Sequence, residues 1–167
     1  MSDERAAARA RRRARQRGAA RLAAVQALFQ MDLGGTDLIA TLADFEAHRL
    51  DGEADGEQLV AADRDFFREL VTGVVEAQRR IDPVIHKALI EGWPLRRLDL
   101  TLRAILRAGA YEIVARPDIP PRVSITEYVD VAHAFFEDGE EPGMVNAVLD
   151  RVARQVRGED VAAGSVR

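Results

Sequence analysis

The chain has 167 residues and a formal net charge of −4, and its 47% apolar content excludes a disordered chain and allows one domain with a hydrophobic core. It has no cysteine, which excludes disulfides, thiolate metal sites and cysteine nucleophiles. No apolar run approaches the ~18 residues of a membrane span, and no apolar segment follows the basic N-terminus as in a signal peptide. We therefore expect a cytoplasmic protein without a membrane partner.

Charge is distributed unevenly along the chain. Eight arginines against Asp3 and Glu4 give the first 21 residues a net charge of +6, so the remaining residues together carry −10. Residues 1–17 contain almost only Ala, Arg and Gln and lack an apolar stripe, which predicts a flexible arginine-rich arm that a partner must order. A basic arm on an acidic body suits an anionic partner such as nucleic acid, although a solvated arm that only aids solubility has the same composition.

Helical periodicity in the remaining chain predicts an all-α fold, a compact bundle of about seven helices in a single domain over residues 18–157. Residues 158–167, rich in Gly, Ala, Ser and charge, are expected to be a frayed tail. The first helix is predicted to run from about residue 18 to 32, and Gly34-Gly35 ends it. Its apolar face consists of Leu22, Val25, Leu28 and Phe29.

Three further helices are predicted before residue 92. Thr36 or Asp37 can cap the second helix, and the acidic stretch 51–58, which contains two glycines, is predicted to be a loop. The third helix should cover about 59–80. Pro83 then marks a boundary, because proline is tolerated in the first turn of a new helix.

The stretch from Leu98 to Arg116 is predicted to be the central helix. Its apolar or small residues follow the spacing of a helix with one buried face for over three turns. Asp99 is a candidate N-cap, and Pro117 stops the helix. Gly109 lies within the buried stripe, where a small residue should allow another helix backbone to approach closely.

Two helices follow a proline-rich connector. Ser124-Ile125-Thr126-Glu127 fits a capping box, in which the serine hydroxyl and the glutamate satisfy free backbone amides, so the next helix is predicted to open there. An acidic turn at 137–141 follows, and Pro142 begins the last helix. This helix has an unbroken valine and leucine stripe.

No arrangement of residues indicates catalysis. Asp130, His133 and Glu137 share one helix face and could in principle bind a metal, but a solvated polar face explains them as well. The sequence lacks a glycine-rich phosphate loop, a Gly-x-Ser-x-Gly elbow and a His-Glu-x-x-His motif. We therefore predict no catalytic residues, no metal, no cofactor and no enzyme.

Four segments in register resemble the NusB family of transcription antitermination factors. The run Arg21 to Phe29 is similar to the first helix of that family, and Arg103 to Ile113 to its central helix. Arg116 to Glu127 resembles the connector and the following helix. Val145 to Asp150 resembles the family sequence Val-Asn-Gly-Val-Leu-Asp, with Ala147 in place of glycine.

The resemblance implies an RNA-binding protein of ribosomal RNA transcription. Such proteins bind boxA RNA, a single-stranded segment, together with NusE, a small-subunit ribosomal protein, and act on the elongating RNA polymerase complex. Met144 stands where the family often has an aromatic residue near the RNA, so base stacking there is in doubt. The RNA-binding residues implied are Arg11, Arg12, Arg13, Arg15, Arg17, Arg21 and Met144.

Resemblance and charge also suggest which residues face a protein partner. An acidic body should attract a basic ribosomal protein. For Tyr111, a position at the edge of the core with its hydroxyl in water is an equally good interpretation. The candidates are Phe29, Arg107, Tyr111, Glu140 and Glu141.

Two other functions remain open from the sequence. One is a helical protein–protein adaptor in which the arginine arm is incidental. The other is a NusB-like domain of an RNA methyltransferase, although the chain contains no Rossmann-like segment. A homodimer that hides the arm is also possible.

Overall fold

The structure, a computed structural model, describes residues 2–54, 57–58, 60–89 and 98–158. The predicted break at Gly92-Trp93-Pro94 and residues 159–167 of the predicted tail lie outside the described residues. The all-α class is confirmed: the described residues form six helices and one hairpin of two-residue strands. The elements are α1 (Ser2–Gly34), α2 (Leu38–His48), β1 (Glu53–Ala54), β2 (Glu57–Gln58), α3 (Arg64–Ala88), α4 (Leu100–Ala115), α5 (Pro121–Phe135) and α6 (Glu141–Arg157).

The chain divides into two compact units, residues 1–71 and residues 72–167, and each is described by itself. The single domain over 18–157 stays a prediction. None of the helices in the described part of the chain is both long enough and apolar enough to cross a membrane.

In the first unit, α1 is one continuous helix of 33 residues. The predicted helix start at residue 18 is therefore wrong, because the arginine-rich stretch 2–17 belongs to the same helix. Ala and Arg are strong helix formers, and the first glycine comes only at Gly18. The helix ends where Gly35 adopts φ +66° and donates its N–H to the Met31 carbonyl at 2.9 Å.

The second helix and the start of α3 complete this unit. The carboxylate of Asp37 accepts the Ala40 N–H at 2.7 Å, so Asp37 is the N-cap of α2, as one of the two predicted alternatives had it. Phe45 of α2 stacks on Phe67 of α3, with ring centroids 5.5 Å apart. Within the predicted loop 51–58, β1 pairs antiparallel with β2.

One helix, α3, replaces two predicted ones, because Pro83 lies in its interior rather than at a boundary. Proline cannot donate the i→i−4 hydrogen bond, and an interior proline costs about 3 kcal/mol. Ile81 and Ile85 on either side of it are completely buried, whereas Pro83 faces solvent. Burial on both sides of Pro83 keeps the helix continuous, which reduces the predicted seven helices to six in the described residues.

In the second unit, α4 packs against both α5 and α6, and ten of its sixteen residues are buried. The predicted N-cap is confirmed: Asp99 accepts the N–H groups of Thr101 at 2.8 Å and Leu102 at 3.3 Å. A Cβ added to Gly109 would lie 2.7 Å from Leu149 Cδ1. The missing side chain therefore makes room for neighbouring side chains, not for the close helix backbone that was predicted.

The capping box predicted at Ser124 is wrong, because α5 begins at Pro121 and Ser124 is a buried residue inside it. The Ser124 hydroxyl donates to the carboxylate of Glu112, a fully buried residue of α4. The Tyr128 hydroxyl donates to the other carboxylate oxygen at 3.1 Å. These two hydroxyls supply donors to a carboxylate that would otherwise be costly to bury. The last helix, α6, carries Pro142 in its first turn as predicted.

Candidate nucleic-acid interface

The N-terminal half of α1 exposes a dense set of arginines, and we call residues 2–17 the arginine leader. Six of its arginines are exposed, and none of them forms an ion pair with any residue in the described part of the chain. The local reason is compositional, because no carboxylate occurs between Glu4 and Asp32. The six residues are Arg5, Arg9, Arg11, Arg12, Arg13 and Arg15.

Four arginines recur at every fourth position and therefore line one side of α1. We call this set the arginine ladder, and it consists of Arg9, Arg13, Arg17 and Arg21. Its members pass from exposed at Arg9 and Arg13, through half-buried at Arg17, to 2% exposed at Arg21. Arg11 and Arg15 point to the opposite side, because each residue advances about 100° around a helix with 3.6 residues per turn.

A surface groove of about 390 Å³ opens on the ladder side of the leader. Its described lining includes two ladder residues, Arg9 and Arg13, with Arg12 beside them. Arg9 was not among the predicted RNA-binding residues, although its i, i+4 spacing to Arg13 was a signal that the sequence offered. The other lining residues are Ala6 and Gln16.

The buried end of the ladder meets the start of α3 at Phe66. The guanidinium carbon of Arg17 lies 5.4 Å from the centre of the Phe66 ring, and that of Arg21 lies 5.1 Å from it. Both distances are within the range of cation–π attraction, which is strongest where water is excluded. The N–H of Asp63 donates to the Gln16 carbonyl at 3.0 Å, and the Asp63 carboxylate accepts the Phe66 N–H at 3.0 Å. We call Asp63, Phe66, Gln16, Arg17 and Arg21 the junction.

Three of the predicted RNA-binding residues lie outside the exposed set, and one of them, Arg17, is half-buried at the junction. Arg21 is almost completely buried, so the accessible guanidinium that was expected at this position is not present, and one of its contacts is with the Phe66 ring. Its signal in the sequence was its spacing of four from Val25, a member of the predicted apolar face. Met144 is half-buried in the first turn of α6, in the second unit.

Arg107, predicted to face a protein partner, is instead a buried structural residue. Its Nε donates to Asp82 Oδ1 at 2.9 Å and its Nη2 to Asp82 Oδ2 at 2.8 Å, which is a bidentate pair. Arg107 is 8% exposed, so a docking role for its guanidinium does not fit the structure. Asp82 is 25 residues away in sequence, and nothing in the local pattern around Arg107 indicated it.

The other predicted partner residues keep some exposure. Tyr111 is half-buried and its ring covers Gly73, where a side chain would collide with it. Phe29 is half-buried on α1 in the first unit. Glu140 is exposed at the start of α6, and Glu141 is half-buried in its first turn.

Within the ranges that the structure describes, no three His, Asp or Glu residues lie close enough to hold a metal ion. Asp130 and His133 are exposed on α5, but Glu137 lies in the turn after the helix ends at Phe135, so the three residues do not share one helix face as predicted.

Comparison with known proteins identifies the family. The sequence profile of the NusB family matches residues 18–154. Transcription antitermination protein NusB of Agrobacterium fabrum (strain C58) is 60% identical over 142 residues, which is 85% of this chain and 86% of that protein. The NusB of Rhodopseudomonas palustris (strain BisB18) is 54% identical over 162 residues, or 97% of this chain and 95% of that one, and this alignment therefore extends into the arginine leader.

A solved structure shares the fold. A chain in the crystal structure of antitermination factors NusB and NusE in complex with double-stranded RNA has a TM-score of 0.69 and is 24% identical, with 84% of this chain and 98% of that chain covered. At that identity the likeness establishes the fold alone. The match of the family profile and the high identity to curated relatives show that the chain belongs to the NusB family.

Proposed function

We propose that this protein is a transcription antitermination factor that binds RNA through the arginine leader, together with the protein NusE, during ribosomal RNA transcription. The observation that carries the proposal is the set of six exposed leader arginines without ion-pair partners in the described residues. Relatives that carry the antitermination name, and a structural neighbour crystallised with NusE and double-stranded RNA, support it.

The chemistry of arginine suits this role. Each guanidinium is always charged, can bind a phosphate through two N–H groups, and stacks on the face of an unpaired base. With a rise of about 1.5 Å per residue, a helix brings the arginines from 5 to 15 within about 15 Å of one another. Such a density of positive charge releases counterions from a nucleic-acid backbone and makes binding strongly dependent on salt.

The proposed protein partner is the basic ribosomal protein NusE, attracted by the acidic remainder of the chain. Residues 22–167 sum to −10, which favours association with a cationic protein. Glu140 and Glu141 at the start of α6 and the half-buried Phe29 and Tyr111 are the proposed contacts. Arg107 is no longer among them, because Asp82 binds its guanidinium.

The test compares two quadruple variants that lose the same charge. The leader variant is R11A/R12A/R13A/R15A. The control variant is R79A/R80A/K87A/R122A, four exposed cations of α3 and α5 that form no ion pair within the described residues. Each protein is titrated with boxA RNA, a scrambled single strand and an RNA duplex, at two salt concentrations, with and without NusE.

We expect the leader variant to lose about tenfold or more in affinity at low salt. At roughly 0.7 per lost single-strand phosphate contact, its slope of log K against log salt should flatten by about 1.4 if Arg12 and Arg13 alone contact phosphates and by about 3 if all four arginines do. The control variant should change affinity less than about threefold, through the long-range field alone. Unchanged RNA binding by the leader variant would contradict the proposal and favour the adaptor function. Equal losses in both variants would show that net charge, and not the leader, determines binding.

A further inference from the structure

We propose that Phe66 is a positioning residue for RNA binding: it holds Arg17 and Arg21 so that the ladder side of α1, and not the Arg11/Arg15 side, meets the RNA. This inference rests on the proposed function, because it specifies which face of the leader binds.

The junction contacts one side of α1. The start of α3 contacts α1 at three points, the Gln16 carbonyl and the guanidinium groups of Arg17 and Arg21. These points lie within six residues, and the two arginines share one side of the helix. A helix held on one side at two positions four residues apart cannot rotate about its own axis without breaking both contacts.

The leader continues the helix from the contacted residues, Gln16 to Arg21, without a break. Residues 2–17 contain neither glycine nor proline, and they continue α1 with regular helical geometry. Kinks in helices occur mainly at proline, at glycine or serine pairs and at bulges. The rotation fixed at Arg17 and Arg21 is therefore carried to Arg13 and Arg9, one and two turns away.

This rotation of α1 determines which arginines line the groove. Arg9 and Arg13 line the groove of about 390 Å³, together with Arg12. Arg17 continues the same line, where the Phe66 ring holds its guanidinium at a fixed place. A nucleic-acid strand lying along this side meets aligned guanidinium groups whose positions are set before binding, and prior ordering of long side chains lowers the entropy lost on association.

Phe66 is itself restrained by burial and by a hydrogen bond to Asp63, which suits a positioning role. Its side chain is 4% exposed, and its N–H donates to the carboxylate of Asp63. Asp63 also donates its own N–H to the Gln16 carbonyl, so the same residue ties the first turn of α3 to α1. The ring therefore cannot move away from Arg17 and Arg21 without disrupting the start of α3.

The first experiment compares R9A/R13A with R11A/R15A in a low-salt titration with single-stranded boxA RNA. Both variants lose two exposed arginines at i, i+4 spacing from the same helix, so charge loss and helix propensity are matched. We expect R9A/R13A to weaken binding about tenfold more than R11A/R15A, as expected when only the ladder side makes close phosphate contacts. Equal losses would overturn the inference.

The second experiment measures the same difference between the two faces in Phe66 variants. F66L keeps an apolar side chain but removes the ring, so the Arg17 guanidinium loses its fixed place in line with Arg9 and Arg13, and the tenfold difference should fall below about threefold. F66Y keeps the ring and should keep the difference. Circular dichroism and thermal unfolding check that each variant remains folded.

A purely structural Phe66 would weaken binding in F66L without altering the ratio between the two faces, and this result would overturn the proposal. If F66L does not fold, D63A loosens the junction from the α3 side, with D63N as the conservative rescue. A wild-type protein that binds no RNA at low salt would contradict the proposed function itself. Wild-type binding with equal losses on both faces would contradict only the positioning role.

Discussion

The exposed arginines of the leader and the paired arginines of the later helices have opposite surroundings. The six exposed leader arginines have no ion-pair partner among the described residues. By contrast, Arg64, Arg68, Arg107, Arg116 and Arg154 each bind a carboxylate, and Arg157 binds three backbone carbonyls. The comparison teaches that the supply of acceptors, and not the residue type, makes an arginine structural. The leader differs from isolated exposed arginines such as Arg79, Arg80 and Arg122 in how many unpaired guanidinium groups it brings together.

Sequence composition creates this difference. The chain has no Asp or Glu at 27 consecutive positions, from residue 5 to residue 31, and most of the arginine leader lies within this stretch. Acidic residues are frequent in the remaining chain. A guanidinium without an internal acceptor remains hydrated and available to an external phosphate. Only arginines with internal acceptors should contribute to the free energy of unfolding. Stability measurements on variants can therefore distinguish them from the unpaired leader arginines.

The largest effect is expected from D82A, which removes the acceptor of the buried Arg107. The variant removes the bidentate carboxylate from a guanidinium of which only 9% of the side chain is exposed, and we expect a loss of about 3 kcal/mol in the free energy of unfolding. D118A is the matched control, because Asp118 forms the same bidentate pair with Arg116 but is 59% exposed. Its loss should be below about 1 kcal/mol in urea unfolding. Similar losses would show that exposure does not separate the two pairs.

A smaller effect is expected from R157A. The Arg157 guanidinium donates to the carbonyls of Ile113 at 2.9 Å, Arg116 at 3.1 Å and Pro117 at 3.2 Å, at the C-terminal end of α4. These carbonyls lie outside the helical hydrogen bonds of α4, and the Arg116 carbonyl also accepts the Ile119 N–H at 3.1 Å, so losing the guanidinium should cost about 1 to 2 kcal/mol. R154A removes only an exposed i, i+4 pair with Asp150 and should cost about 0.5 kcal/mol or less. The order would be wrong if R154A proved the more destabilised protein by urea unfolding.

The next effect depends on pH. The hydrogen bond from Arg68, together with its charge, lowers the pKa of Glu46 below its usual 4.5. A lowered folded-state pKa stabilises the protein above the unfolded pKa, and this contribution is lost as pH falls through the folded value. R68A should therefore be slightly less stable than wild type near about pH 7, and the two melting temperatures should converge in acid. A difference that persists at low pH would assign the effect of Arg68 to packing.

The smallest effect is expected from R11A/R15A. Both side chains are exposed and unpaired within the described residues, so the free energy of unfolding should not change measurably. The same R11A/R15A protein is used in the RNA titration, so its stability and its RNA affinity can be compared directly. A clear loss of stability in this variant would mean that the leader takes part in the fold, and the division between the two kinds of arginine would fail.

Local signals in the sequence predicted part of this structure well. The caps at Asp37 and Asp99 were predictable because each carboxylate binds a backbone N–H only two or three residues away. The all-α class followed from periodicity, which is a property of neighbouring residues. The arginine-rich leader was visible as composition, and five of its predicted residues lie in the described helix: Arg11, Arg12, Arg13, Arg15 and Arg17.

What the sequence could not predict depends on residues far apart in the chain. Ser124 fits a capping pattern, but the buried Glu112 binds its hydroxyl. Pro83 looks like a boundary until the burial of Ile81 and Ile85 is known. Arg21 was predicted to bind RNA because its partner Phe66, 45 residues later, cannot be inferred from local spacing.

The buried carboxylate of Glu112 determines how α4 and α5 can be aligned. Sliding one helix past the other by a single turn, about 5.4 Å, would separate Glu112 from both hydroxyls and remove two hydrogen bonds from a buried carboxylate. Apolar contacts alone would tolerate several such offsets, because alanine, valine and leucine can replace one another across an interface. The hydrogen bonds among Glu112, Ser124 and Tyr128 therefore favour one axial alignment of α4 and α5. If all three residues were replaced by apolar ones, the two helices should adopt several axial alignments.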